Sequence, residues 1–108
     1  MIYVVFRKDK AGKYKGFNFI GHANSAPKGE DLVCCAASML AINTINSIEK
    51  FAGDKMKITT NEEEGLLDII FEEDLSDEAM LLVKSLDLGM NGLAKDYESY
   101  INLKYTEV

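Results

Sequence analysis

At 108 residues the chain is long enough for one compact domain and too short for two. Apolar residues make up 47%, with one proline and eight glycines, which suits a packed two-layer core and excludes a disordered chain or a linker. The net charge of −6 disfavours non-specific binding to nucleic acid or anionic membranes and leaves a basic peptide as the electrostatically favoured partner.

The opening run Met1-Ile2-Tyr3-Val4-Val5-Phe6 precedes its charges, Arg7 and Lys8, which is the reverse of a secretory signal. No uninterrupted run reaches the roughly 18–20 apolar residues of a membrane span. The two cysteines, Cys34 and Cys35, are neighbours. A bond between neighbours is strained, and two adjacent thiols with one histidine make neither a disulfide framework nor a zinc pattern. Reduced thiols in a cytoplasmic protein are the simplest expectation.

Residues 2–7 are rich in β-branched and aromatic types and predict a first strand. A polar turn follows over residues 8–13. Residues 14–20 predict a second strand, hairpinned to the first, with Phe17 and Phe19 on one face and Gly16 and Asn18 on the other. Residues 21–30 read as a loop with His22, the single Pro27, and glycines at 21 and 29.

From Asp31, a plausible N-cap, a helical pattern runs to about Phe51 and stops at Gly53. Val33, Ala37, Leu40, Ala41, Ile48 and Phe51 fall at helical spacing. Leu32, Cys35, Met39, Ile42 and Ile45 widen that stripe, which predicts a helix covered on more than one side. Residues 56–60 and 66–71 predict third and fourth strands around the acidic turn Asn61-Glu62-Glu63-Glu64-Gly65. Ser76-Asp77-Glu78 opens a second helix, expected to run to about Tyr100 with Gly89 and Gly92 marking a bend or close packing. Residues 102–107 predict a closing edge strand. The order ββαββα(β) describes a single α+β domain over residues 1–108: a two-layer sandwich of two helices on a mainly antiparallel sheet.

The chemistry converges on the loop and the helix after it. A sulfur nucleophile needs a base and a field that favours thiolate. Cys34 stands three residues after the expected cap, where the helix dipole supplies such a field, and His22 is the sole imidazole. Asp31 lies where it orients the histidine or merely caps the helix. Ser38, four residues after Cys34, shares its face and offers a hydrogen bond. Free N–H groups at the helix start are candidates to hold an oxyanion. Gly21 and Gly29 allow a loop that closes over a peptide and reopens. Cys35 is expected to turn into the core as a small hydrophobe.

The run Gly21-His22-Ala23, then Gly29, Asp31-Leu32-Val33-Cys34 and Ala36-Ala37-Ser38 resembles the signature of the ribosomal-processing cysteine proteases, the Prp family, across the whole domain. The resemblance implies a cytoplasmic, typically homodimeric endopeptidase that needs no metal or cofactor. It implies a substrate: the N-terminal extension of the twenty-seventh protein of the large ribosomal subunit, cut after a bulky aromatic residue and before a small one. Carried over by position, Cys34 is the nucleophile, His22 the general base, Asp31 a family acidic position, and residues 21–29 a mobile loop. Cys35 departs from the small residue, often alanine, common after the nucleophile. Two other readings compete: a non-catalytic ribosome-assembly module holding a basic segment, and a redox-sensing thiol pair at Cys34 and Cys35.

Overall fold

The computed structural model describes the backbone at residues 1–21 and 28–108 and the side chains at 1–21 and 32–108. Five strands and two helices follow one another in the order β1 (Ile2–Lys8), β2 (Tyr14–Ile20), α1 (Lys28–Ser47), β3 (Met56–Asn61), β4 (Leu66–Phe71), α2 (Asp77–Asp96) and β5 (Ile101–Glu107). A single π-helical turn over Ile48–Ala52 extends α1. The expected α+β sandwich is therefore present, including the closing strand.

The sheet order is β3-β4-β2-β1-β5. Three of the four pairings are antiparallel, and β5 lies parallel to β1 at the edge opposite β3. Each helix is thus a crossover between strands that run the same way, α1 from β2 to β3 and α2 from β4 to β5. The helices pack on each other and together cover one face of the sheet.

Period-two alternation puts Val4, Phe6, Phe17, Phe19, Ile69 and Phe71 on the covered face, all nearly inaccessible to solvent. Aromatic rings meet across the strands, with Phe6 and Phe17 at 6.0 Å and Phe17 and Phe71 at 6.0 Å between centroids. From the helices, Val33, Ala37, Ala41, Ile45 and Ile48 of the first and Ala79, Val83, Leu86 and Met90 of the second complete the core. The small residues at 37 and 41 let α1 lie close against the large rings beneath.

Several expectations change. The helix begins at Lys28, directly after the only proline, and not at Asp31. Proline suits the start of a helix, where its missing N–H costs nothing. The stripe of α1 is narrower than expected: Leu32, Met39 and Ile42 are 69%, 61% and 47% exposed, so the helix is covered on one side. Its stop at Gly53 holds, since that residue takes a left-handed φ of 79° and donates its N–H to the Ile48 carbonyl at 2.7 Å. The second helix ends at Asp96 instead of Tyr100, and Ile101 belongs to the sheet. Gly89 marks close packing, since a Cβ there would stand 3.3 Å from Leu40, whereas Gly92 faces open space. Leu32–Ala52 has a mean hydropathy of 1.4 over a membrane-spanning length. A third of that apolar window is buried in the fold, including Val33, Ala37, Ala41, Ile45 and Ile48.

A polar cluster fastens α2 to the sheet. Asp87 is 9% exposed and accepts hydrogen bonds from the hydroxyls of Tyr14 and Tyr105, each at 2.5 Å, and from Asn91 at 2.7 Å. Burial, reinforced by the bond to Asp87, pushes the ionisation of Tyr14 far above the ordinary range; burial also raises that of Tyr105. Because both pKa values are raised by folding, this stabilisation is complete below the unfolded value of about 10 and is lost as the pH climbs past it. An alkaline titration followed by tyrosinate absorbance should show a late component that Tyr14→Phe reduces, with Tm falling above about pH 10. Tyr14→Phe should itself cost about 1–3 kcal/mol, because it removes a buried partner of Asp87.

Candidate active site

The buried stripe of α1 fixes the direction of every other residue on it. Successive side chains turn by about 100°. With Val33 and Ala37 in the core, Cys34 emerges at the side of the helix, half-buried, and Ser38 and Ile42 follow at intervals of four on the same face. These three side chains form one wall of a cleft of about 420 Å³. The opposite wall consists of Phe19 of β2, Leu66 and Leu67 of β4, and Thr60, Asn61, Glu62 and Gly65 around the β3–β4 turn. The lining is mostly apolar, with the thiol and a few hydroxyl, amide and carboxylate groups set into it.

Gly21 closes one end. Its carbonyl oxygen is 4.0 Å from the Cys34 sulfur, a long S–H···O contact, and its N–H donates to the Glu64 carbonyl at 3.3 Å. Its φ is 140°, and a Cβ there would lie 2.8 Å from the Met1 carbonyl oxygen and 3.0 Å from the Ile2 Cα. Glycine is thus required at this point, both by the backbone conformation and by the close approach of β1. The residue in contact with the sulfur is the one that precedes the sole histidine in sequence.

Of the residues singled out from sequence, Cys34, Ser38 and Gly21 meet at the cleft. His22 lies outside the described residues, as does most of the expected loop between Gly21 and Gly29. Gly29 itself falls in the first turn of α1. Asp31 stands inside that turn, not at its cap, and its side chain is outside the described residues. Cys34 is consequently in the second turn, where its own N–H is engaged in the helical ladder. The free N–H groups belong to the first turn, which starts at Lys28, so the expected oxyanion donors are not at Cys34 itself, and the dipole acts there less strongly than in a first turn.

Cys35 is exposed instead of buried. It stands about 200° from both Val33 and Ala37, which places it on the back of the helix. The cleft's far wall was not foreseen, because nothing local in β2, β3 or β4 announces that their ends meet α1. Ile42 was legible, being two turns from Cys34 on its own face.

A sequence model of the cysteine protease Prp family matches residues 1–102. The chain belongs to the Prp family of cysteine proteases. The ribosomal processing cysteine protease Prp of Bacillus subtilis is 28% identical over 110 residues, covering 98% of this chain and 96% of that protein. The fold matches that of the essential ribosomal processing protease Prp from Staphylococcus aureus in complex with a substrate peptide. There the TM-score is 0.92 at 24% identity, over 98% of this chain and 100% of the other. The same protease with a covalently linked product peptide gives a TM-score of 0.88 at 25% identity, with the same coverage. The chain is therefore a cysteine protease, and the reading as a non-catalytic module is set aside.

The geometry at Gly21 generates a test. Gly21→Ala forces a side chain against the Met1 carbonyl and a φ that alanine rarely adopts. It should lower stability by about 1–3 kcal/mol. Peptide turnover should fall at temperatures where the variant is still folded, because the backbone beside the sulfur moves. Thermal melts and kcat/KM, measured together, check both.

Proposed function

We propose that this Prp protease removes the N-terminal extension of the twenty-seventh protein of the large ribosomal subunit, using Cys34 as nucleophile and His22 as general base. The observation that carries the reading is a half-buried thiol on the wall of a peptide-sized, largely apolar cleft, in contact with the residue next to the sole histidine. The relatives named as ribosomal processing proteases, and the neighbour holding a covalently linked product peptide, support it.

In this mechanism the imidazole of His22 takes the proton from the Cys34 thiol. The thiolate attacks the scissile carbonyl, forming a C–S bond and an oxyanion. The Ser38 hydroxyl, one turn along the same face, donates a hydrogen bond at the reacting carbonyl. Collapse of the oxyanion breaks the C–N bond, and the imidazolium gives its proton to the leaving amine. Water, deprotonated by the same imidazole, then cleaves the thioester and regenerates the thiol. Phe19, Ile42 and Leu67 suit a bulky aromatic side chain beside the scissile bond. Asp31 orients His22.

The exposed thiol of Cys35 plays no part, and the redox-pair reading loses its footing. On an intact helix the two sulfurs diverge by about 100°, so a bond between them requires the helix to break. The enzyme works in the cytoplasm as a homodimer. Leu32, Met39, Leu81 and Leu88, between 61% and 76% exposed on the helix layer, give a second copy an apolar surface to bury.

The test is cleavage of the extended N-terminal peptide, read by mass spectrometry. Wild type and Cys35→Ser should cut at one bond between an aromatic and a small residue. Cys34→Ser and His22→Ala should retain less than about a thousandth of the wild-type rate, in keeping with loss of a nucleophile or its base. Cleavage by Cys34→Ser at the wild-type rate would refute the assignment.

A further inference from the structure

We propose that Glu62 gives the cleft a preference for peptides that carry a positively charged side chain near the scissile bond. The inference rests on the reading of this cleft as the place where peptide is cleaved, and it concerns which peptides are taken.

Glu62 follows directly on β3 and lines the cleft across from Cys34 and Ser38. Every other described lining residue is apolar or uncharged, so Glu62 supplies the cleft's one formal charge among them. The β3–β4 turn is held in place: the Glu64 N–H donates to Asn61 Oδ1 at 3.3 Å, the Gly65 N–H to the Glu62 carbonyl at 3.2 Å, and the Gly21 N–H to the Glu64 carbonyl. The backbone that carries Glu62 is thereby tied to the thiol's own contact, Gly21, while the exposed carboxylate keeps the reach to meet a side chain in the cleft.

Among the described residues no cation pairs with Glu62, nor with Glu63 or Glu64, which add charge of the same sign beside it. Ion pairs among the described residues lie elsewhere, joining Arg7 to Asp68, Lys13 to Asp74, and Lys15 to Asp9 and Asp74. A peptide that fills the cleft with neutral atoms strips water from an unpaired carboxylate and gives nothing back. A lysine or arginine seated near Glu62 returns a charge-assisted hydrogen bond, and a glutamate there is repelled. For a partly solvated pair the expected discrimination is modest, about five- to tenfold in kcat/KM and carried mainly by KM, shrinking as salt is added.

The experiment compares peptides spanning the cleaved bond of the ribosomal extension, each with lysine, acetyl-lysine or glutamate scanned through the positions flanking it. With wild type, one position should favour lysine over acetyl-lysine by about five- to tenfold and disfavour glutamate, and 0.5 M salt should compress the ratio. In Glu62→Gln the lysine-to-acetyl-lysine ratio at that position should fall to within twofold of one, and in Glu62→Lys the order should invert. Glu63→Gln, whose side chain does not line the cleft, should keep most of the preference. A wild-type ratio near one at every position, or a ratio unmoved by Glu62→Gln, overturns the proposal while leaving the protease reading intact. Failure of wild type to cut any of the peptides overturns that reading. In that event, binding of the same fluorescent peptides to Cys34→Ala decides the charge preference: tighter binding of the lysine form supports it, and equal binding overturns it.

Discussion

Everything at the site follows from how α1 is seated on the sheet. Val33, Ala37 and Ala41 are buried in the same core as the aromatic rings of β1 and β2, and that burial sets which face the helix turns to the sheet. The hundred-degree step between neighbours then decides what each residue faces. Cys34, one step from the core stripe, opens on the cleft; Cys35, two steps away, opens on solvent. Two chemically identical thiols, adjacent in sequence, receive different surroundings from a packing constraint that involves neither of them. The low volume of Ala37 and Ala41 matters as much as their apolarity, since larger side chains would lift the helix and take the sulfur away from Gly21.

The strands were the most legible part of the chain. The second and fourth match residues 14–20 and 66–71 as expected, because alternation and β-branched or aromatic content coincide there and polar turns bound them. The helix boundaries were less legible, since local signals compete at helix ends. Asp31 has the chemistry of a cap, yet the helix already begins at Lys28. The pattern after Asp96 remains amphipathic, yet the chain leaves the helix so that Ile101 can pair with Ile2 along β1. The breadth of the apolar stripe on α1 misled for a different reason: apolar residues on a helix do not all face the core, and Leu32, Met39 and Ile42 do not.

For the site, the near half was readable and the far half was not. Cys34 and Ser38 share a face by simple periodicity, and the motif around them carries the family resemblance. The wall contributed by Phe19, Leu67 and the β3–β4 turn depends on strand order. That order brings β4 beside β2 and is a long-range property that no window of sequence contains. The acidic turn is an instance. In sequence it reads as an acidic turn between two strands; in the fold, the Gly21 N–H bonds the Glu64 carbonyl and Glu62 lines the cleft.

The central claim is that the sulfur of Cys34 is the reactive atom of this cleft and that His22 activates it. A peptide of the ribosomal extension ending in a chloromethyl ketone tests this most directly, with the modified residue mapped by digestion and mass spectrometry. Modification should fall on Cys34 alone and slow at least about tenfold in His22→Ala, as loss of a general base requires. Labelling of Cys35 in its place, or a rate indifferent to His22, would contradict the account.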